Sequence, residues 1–274
     1  LLADWKELPD DYNAVVNDHC RFGFINKNNE LVIDYQFNYA EDFKDGLAKI
    51  RIGRRSSGKY GYINKKGETI TEMYDEVNDF EDGIALVGNE GKYGIIDTTG
   101  VLVSEWYDEV KIYSENFAVV RNGIKYSYIN RKGKQISGWF EDAYAFSNKR
   151  AKVKKDGLWG YINYKGEMMI PAIYKQVWDF KNNVAKVEKD GKYSFIDLRG
   201  NLMTDWYDRM FGFSDGMAVV CKDRKWGYID INGELVIKCK YERAFAFADG
   251  RAIVFEGGAQ YTINKKGEIL EEGK

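Results

Sequence analysis

A single histidine, His19, stands among the 274 residues, and that scarcity removes most catalytic constellations at once. A Ser-His-Asp or Cys-His arrangement needs an imidazole as base, so it could form only at His19, next to Cys20. Neighbours along a strand point to opposite faces, which argues against that pair, and His19 reads as a turn residue. Cysteine is scarce too: Cys20, Cys221 and Cys239 are odd in number and lack the paired spacing of a disulfide framework or a zinc site. They read as ordinary buried thiols. No apolar run reaches the roughly 18 residues of a membrane-spanning helix. Charge of one sign is missing as well. With 41 basic and 43 acidic residues the net charge is −2, without the one-signed field that nucleic-acid or anionic-membrane binders carry. No phosphate-binding loop is present. Carboxylates abound, but Asp42, Asp45, Asp82, Asp215 and Asp249 sit beside Gly46, Gly83, Gly216 and Gly250 as turn residues, and nothing singles out a glycosidase-like pair. The sequence therefore predicts no catalytic residue, no metal ligand set and no cofactor.

What the chain has instead is a period. An isoleucine recurs as Ile25, Ile63, Ile96, Ile129, Ile162, Ile196, Ile229 and Ile263, spaced by 33 or 34 residues after one interval of 38. An Asn or Asp follows each one, and three residues later comes a glycine from Gly67 to Gly267, with Asn29 in the first copy. An Asx side chain that bonds back to turn amides, closed by a residue at positive φ, describes a type I turn with a G1 bulge. Three residues before the isoleucine stands an aromatic in seven of eight copies, and two before it a small residue such as Gly61, Gly160 or Ser194. Alternation along the strand then gives it two apolar faces, so each sheet is covered on both sides. The small residue marks a place where a neighbouring unit approaches the backbone. A strand bearing Ala14, Ala48, Ala85, Ala118, Ala151, Ala185, Ala218 or Ala252 precedes each motif, and a third strand follows it.

Each unit thus reads as a three-stranded antiparallel meander, over approximately 11–35, 46–72, 83–104, 116–137, 149–170, 183–204, 216–237 and 250–271. The links carry two aromatic pegs each. The first is Phe37, Tyr74, Tyr107, Phe140, Tyr174, Tyr207 or Tyr241, and the second Phe43, Phe80, Tyr113, Phe146, Phe180, Phe213 or Phe247. Their rhythm predicts a turn-like or 3₁₀ crossover. One 33-residue meander cannot bury a core alone, whereas stacked copies can, so 1–274 reads as one repeat array.

Trp159-Gly160-Tyr161-Ile162-Asn163, with Lys165-Gly166-Glu167, Ile170-Pro171 and Tyr174, resembles the bacterial WG-containing repeat family, as does Trp226-Gly227-Tyr228-Ile229-Asp230 with Gly233-Glu234. The resemblance covers essentially the whole chain. It implies interaction modules with no catalytic residues to carry over.

The expected fold is all-β, eight tandem meanders in a propeller-like toroid, with an open superhelical β-solenoid as the alternative. Leu1-Leu2-Ala3-Asp4-Trp5 resembles Leu102 to Trp106 and offers a segment that could close a ring. The chain begins at Leu1 rather than methionine, which leaves secreted, periplasmic and cytoplasmic locations open. If repeated positions are scaffold, function lies where copies differ. One difference is the hairpin tip 51–59, four residues longer than its counterparts, with Arg51, Arg54, Arg55 and Lys59 as a contact for an acidic partner or phosphate. A solvated insertion is its other reading. The second is the set of link tryptophans, Trp106, Trp139 and Trp206 at one position and Trp178 nearby. They are either larger pegs or an exposed surface for protein or sugar. The expected function is non-enzymatic protein binding through variable loops on a rigid scaffold. The alternative is a carbohydrate-binding or carbohydrate-active protein.

Overall fold

The computed structural model describes residues 12–111 and 113–273, and every regular element among them is a β-strand. The segment 1–5, offered above as a ring closure, lies outside the described residues. The strands form eight antiparallel sheets in tandem, so the all-β repeat reading holds. The fifth repeat shows the plan. Its strands Asp142–Ala143, Ala151–Lys155, Leu158–Ile162 and Met168–Tyr174 are hydrogen-bonded neighbours in chain order. The meander of three is therefore joined by a short fourth strand drawn from the preceding link. In five of the eight sheets three named strands remain; in four of these the last strand shrinks to single bridges such as Ile63↔Thr69 and Ile196↔Leu202.

That link is extended rather than 3₁₀. The first peg is a cross-strand partner of the middle strand: Tyr74 N donates to Tyr60 O at 2.8 Å and Tyr60 N to Tyr74 O at 2.7 Å. Its ring is thereby held in the core, and the chain goes on to the Glu76–Val77 strand of the next sheet. The peg spacing reflects a bridge followed by a strand, which buries aromatics at similar intervals without a helical turn.

The hairpin turn is the one the Asx-to-glycine spacing requires. Asn64 Oδ1 accepts from the amides of Lys66 at 2.9 Å and Glu68 at 3.1 Å, Gly67 N donates to Asn64 O at 2.9 Å, and Gly67 lies at φ +83°. Asp230 repeats the arrangement through Asn232 and Glu234.

The small residue two before the isoleucine has a different neighbour from the one expected. The third strand bulges between the pairings Tyr161↔Ile170 and Trp159↔Tyr174. The bulge lies against Gly160, where a Cβ would sit 2.7 Å from Ala172 N and 2.8 Å from Pro171 C. The close approach comes from the same repeat. Where serine stands instead, its hydroxyl bonds to the bulge, as Ser194 Oγ does to Thr204 O at 3.0 Å. The residue that meets the neighbouring repeat is the turn glycine: a Cβ on Gly166 would collide with the Ile136 carbonyl, and one on Gly100 with that of Ile70.

Between successive sheets the pegs meet the strands in closed apolar clusters. Tyr161, Ile170, Tyr174, Phe180, Ala185, Val187 and Ile196 form one of these, each large side chain contributing about 1.5–3 kcal/mol on burial. The described residues fall into two compact units. The first contains 12–111 with Ala118–Ile124 and Tyr128–Gln135; the second contains Tyr113–Phe117, Lys125–Ser127 and 136–273. One cysteine departs from expectation. Cys20 is exposed because it occupies a turn at φ 56°, which turns its side chain outward. Cys221 is buried and Cys239 half-buried.

Candidate functional site

The link strand ends on a residue that pairs with the next first strand at the position after its alanine. Glu41 N donates to Lys49 O, Tyr144 N to Lys152 O, Trp178 N to Lys186 O and Phe245 N to Ile253 O. Each of these link residues lies two before the second peg. A buried tyrosine of the preceding repeat fixes some of them from beneath: Tyr62 OH donates to Asn78 O at 2.6 Å, Tyr161 OH to Trp178 O at 2.6 Å and Tyr228 OH to Phe245 O at 2.8 Å. Burial pushes the hydroxyls of all three tyrosines well above the ordinary phenol range, so they remain donors.

In the first unit this position holds Glu41, Asn78 and Lys111. In the second it holds Tyr144, Trp178, Phe211 and Phe245. Tyr144, Phe211 and Phe245 are 46%, 55% and 48% exposed, and Trp178 is half-buried. Each packs on a second aromatic of its own sheet, with ring centroids 5.7 Å apart for Tyr144 and Trp159, 6.2 Å for Trp178 and Tyr193, 5.8 Å for Phe211 and Trp226, and 6.4 Å for Phe245 and Phe255. Cations lie over three of the four pairs. Lys152 Nζ is 4.2 Å from the Tyr144 centroid, Lys186 Nζ 3.9 Å from that of Trp178, and Arg243 Cζ 4.7 Å from that of Phe255. Both lysines also bridge to the next rung, Lys152 to Asp179 at 2.9 Å and Lys186 to Met210 O at 3.3 Å. The result is an aromatic row supported from below and edged with cations. Sequence reading missed it apart from Trp178, although four consecutive aromatics at one repeat position were there to find.

The residues singled out from the sequence are placed as follows. Arg51 lies between the rings of Tyr39 and Tyr60, at 5.8 and 5.7 Å, and Lys59 pairs with Asp75 at 2.7 Å. Of the tip's four cations Arg54 and Arg55 are exposed, Lys59 is part-exposed within its ion pair, and Arg51 is held between its two rings. The tip is clipped to the sheet by Gly53 N donating to Asn38 Oδ1 at 2.8 Å. Trp106 packs on Tyr74 at 6.1 Å, and Trp206 packs against the Tyr161 cluster. Trp139 is 41% exposed. The four tryptophans therefore occupy three environments.

Among the described residues no group of three or more His, Cys, Asp and Glu is placed to hold a metal ion, and no helix is long and apolar enough to cross a membrane. The WG containing repeat matches residues 22–55, 60–93, 93–126, 126–159, 159–193, 194–226 and 226–258. The chain belongs to the WG containing repeat family. As a WG repeat protein it is a repeat β-fold domain of the kind used for protein interaction. No curated protein sequence matches it. Among solved structures it is similar to a eukaryotic initiation factor, at 9% identity and TM-score 0.40, over 96% of this chain and 85% of that one. It is also similar to Hsv2p of Kluyveromyces lactis, at 12% identity and TM-score 0.33, over 84% of this chain and 95% of the other.

Proposed function

We propose that this WG repeat protein is a non-enzymatic protein-binding module whose second unit docks a partner across the row Tyr144, Trp178, Phe211 and Phe245. The observation that supports this reading is the row itself: large aromatics at one repeat position, three of them about half exposed and Trp178 half-buried. Aromatic side chains carry large contact area at low conformational cost and dominate binding hot spots. The cations beside the row favour a partner surface that sets apolar side chains among carboxylates. The scaffold resists deformation because the Tyr144, Trp178 and Phe245 rungs are fixed by the strand pairing and, at Trp178 and Phe245, by a buried tyrosine hydroxyl.

The experiment is affinity capture read by mass spectrometry, with wild-type chain against Phe211→Ser/Phe245→Ser. A protein captured by the first and lost by the second supports the reading. Capture unchanged by the substitutions refutes it. A glycan array with the same two proteins tests the second reading, which rests on exposed Phe211 stacked on half-buried Trp226. Glycan binding lost in the variant would move the assignment to carbohydrate.

A further inference from the structure

Three repeats carry a lysine at the position after the first-strand alanine: Lys49, Lys152 and Lys186. Two of the three are neutralised. Lys49 Nζ lies 2.8 Å from Glu41 and 2.7 Å from Asp79, and Lys152 Nζ 2.9 Å from Asp179. Asp79 and Asp179 are equivalent residues, each one before the second peg of the following link. For Lys186 that residue is Gly212. Among the described residues no carboxylate lies within ion-pairing distance of Lys186. Its ammonium rests on Trp178 at 3.9 Å, with Tyr193 at 5.6 Å, and makes one hydrogen bond, to Met210 O at 3.3 Å. A Cβ built on Gly212 would meet nothing within 4 Å, so the space its siblings fill with a carboxylate is open. The neighbouring Phe211 is exposed.

An ammonium has three donors, and a half-buried one without a counter-ion bears the desolvation cost of its charge without recovering it. Burial accordingly draws the Lys186 pKa below the ordinary lysine value, whereas Lys49 is carried above it: burial pulls Lys49 down, but hydrogen bonds to Asp79 and Glu41 outweigh that. We infer that the notch between Lys186, Trp178 and Gly212 is a seat for a carboxylate of the partner protein, an Asp or Glu side chain entering where Asp79 and Asp179 stand in the sibling repeats. This deepens the protein-binding reading and rests on it. The occupant follows from the siblings themselves: the same lysine, in the same strand, twice takes a carboxylate from the same direction. The neighbouring aromatic row supplies apolar contact, and the seat supplies the one charge-assisted hydrogen bond that fixes register along it.

The test uses the full chain and N-acetyl-tetraglutamate amide as the probe. Acetylation of each lysine by N-acetoxysuccinimide is followed by peptide mass spectrometry. At a probe concentration about four times its Kd, acetylation of Lys186 is expected to slow by about fivefold, while exposed Lys189 is unchanged. Gly212→Asp, which places the sibling carboxylate in the open space, is expected to slow Lys186 by a similar factor without probe and to abolish any further protection. Lys186 protected no more than Lys189, or protected equally in wild type and Gly212→Asp, would overturn the inference. If Gly212→Asp does not fold, the Hε–Cε signals of wild-type lysines under the same titration decide. A shift confined to Lys186 supports the seat, and none, or one shared by the exposed lysines, refutes it. Failure of the seat is separable from failure of protein binding, since a partner lost in Phe211→Ser/Phe245→Ser but retained in Gly212→Asp leaves the row in place and removes only the seat.

Discussion

The two units use the same repeat to present different chemistry. Glu41 and Tyr144 follow equivalent short strands and make the same backbone hydrogen bond, to Lys49 and Lys152 respectively. One side chain closes an ion pair within its own unit; the other lies open to solvent beneath a lysine. The scaffold fixes the position and is indifferent to its occupant, because the backbone bonds that hold it involve no side chain of the row. The first unit consumes its charges internally, in a 280 Å³ cleft lined by Glu41, Lys49, Tyr62 and Asp79. The second leaves aromatics exposed, with half-buried Lys152 and Lys186 and exposed Arg243 beside them.

The sharpest way to break this comparison is through the partner. Phe211→Ser/Phe245→Ser is expected to weaken capture by about 30-fold or more, the scale of a hot-spot loss near 2 kcal/mol. Asn78→Ser, the first-unit counterpart, is expected to leave it unchanged. Binding isotherms for the captured partner check both, and equal effects would erase the distinction between the units.

Removing the hydroxyls beneath the position comes next. Tyr62→Phe and Tyr161→Phe each leave a carbonyl without its buried donor and should cost roughly 1–2 kcal/mol in urea unfolding. Only Tyr161→Phe, which frees the Trp178 rung, should also reduce partner affinity.

The lysines give an opposition of sign. Lys49→Met strips two carboxylates of their counter-ion and is expected to destabilise by about 1 kcal/mol. Lys186→Met removes an uncompensated ammonium and is expected to stabilise at neutral pH. The pH dependence follows. The folded pKa of Lys49 is raised, so its contribution is full below its unfolded value of about 10.4 and is lost as pH rises through the folded value. Asp79 is lowered, chiefly by its hydrogen bond with Lys49, so its contribution holds above the unfolded value of about 3.9 and is lost as pH falls through the folded value. Lys186 is lowered by burial, so its penalty is full below the folded value and fades as pH rises past the unfolded one. The stability gain of Lys186→Met should therefore shrink at alkaline pH, and one that grows there would contradict the burial argument.

The smallest effect belongs to the long tip. Arg54→Ala/Arg55→Ala should change stability by less than about 0.5 kcal/mol, since both side chains are exposed. Loss of partner capture in this variant would shift attention from the second unit to the first.

The sequence displays the repeat openly because backbone geometry demands the same residue in every copy. Asn64 and Gly67, or Asp230 and Gly233, recur because one turn needs an Asx acceptor and a positive φ. The pegs recur because each closes the same gap between sheets. Readings that needed a partner for a residue fared worse. Gly160 was rightly marked as a close approach, yet the approaching chain is its own third strand, since a bulge leaves no periodic signature. Cys20 was assigned to the core from its residue type, while its turn conformation sends it outward. The aromatic row escaped notice because Glu41, Asn78, Lys111, Tyr144, Trp178, Phe211 and Phe245 share no residue type. The pattern emerges when the last four of these positions are read apart from the first three.

The contact of each turn glycine with the strand end of the repeat before it has a consequence for how such a chain can change length. Each joint from Gly67 onward is made by the same two points of the period, the turn glycine and the residue that ends the preceding third strand, which meets it through its carbonyl, as Ile136 meets Gly166, or through its side chain, as Ile170 meets Gly200. Gene duplication or deletion by one whole period, begun at any base, rebuilds that joint from existing parts. A gain of four residues rebuilds nothing and must be absorbed away from the joints. The only longer tip, 51–59, absorbs its gain there. Copy number is thus free to drift while loop length is not, and novelty in this architecture enters by substitution at a supported position.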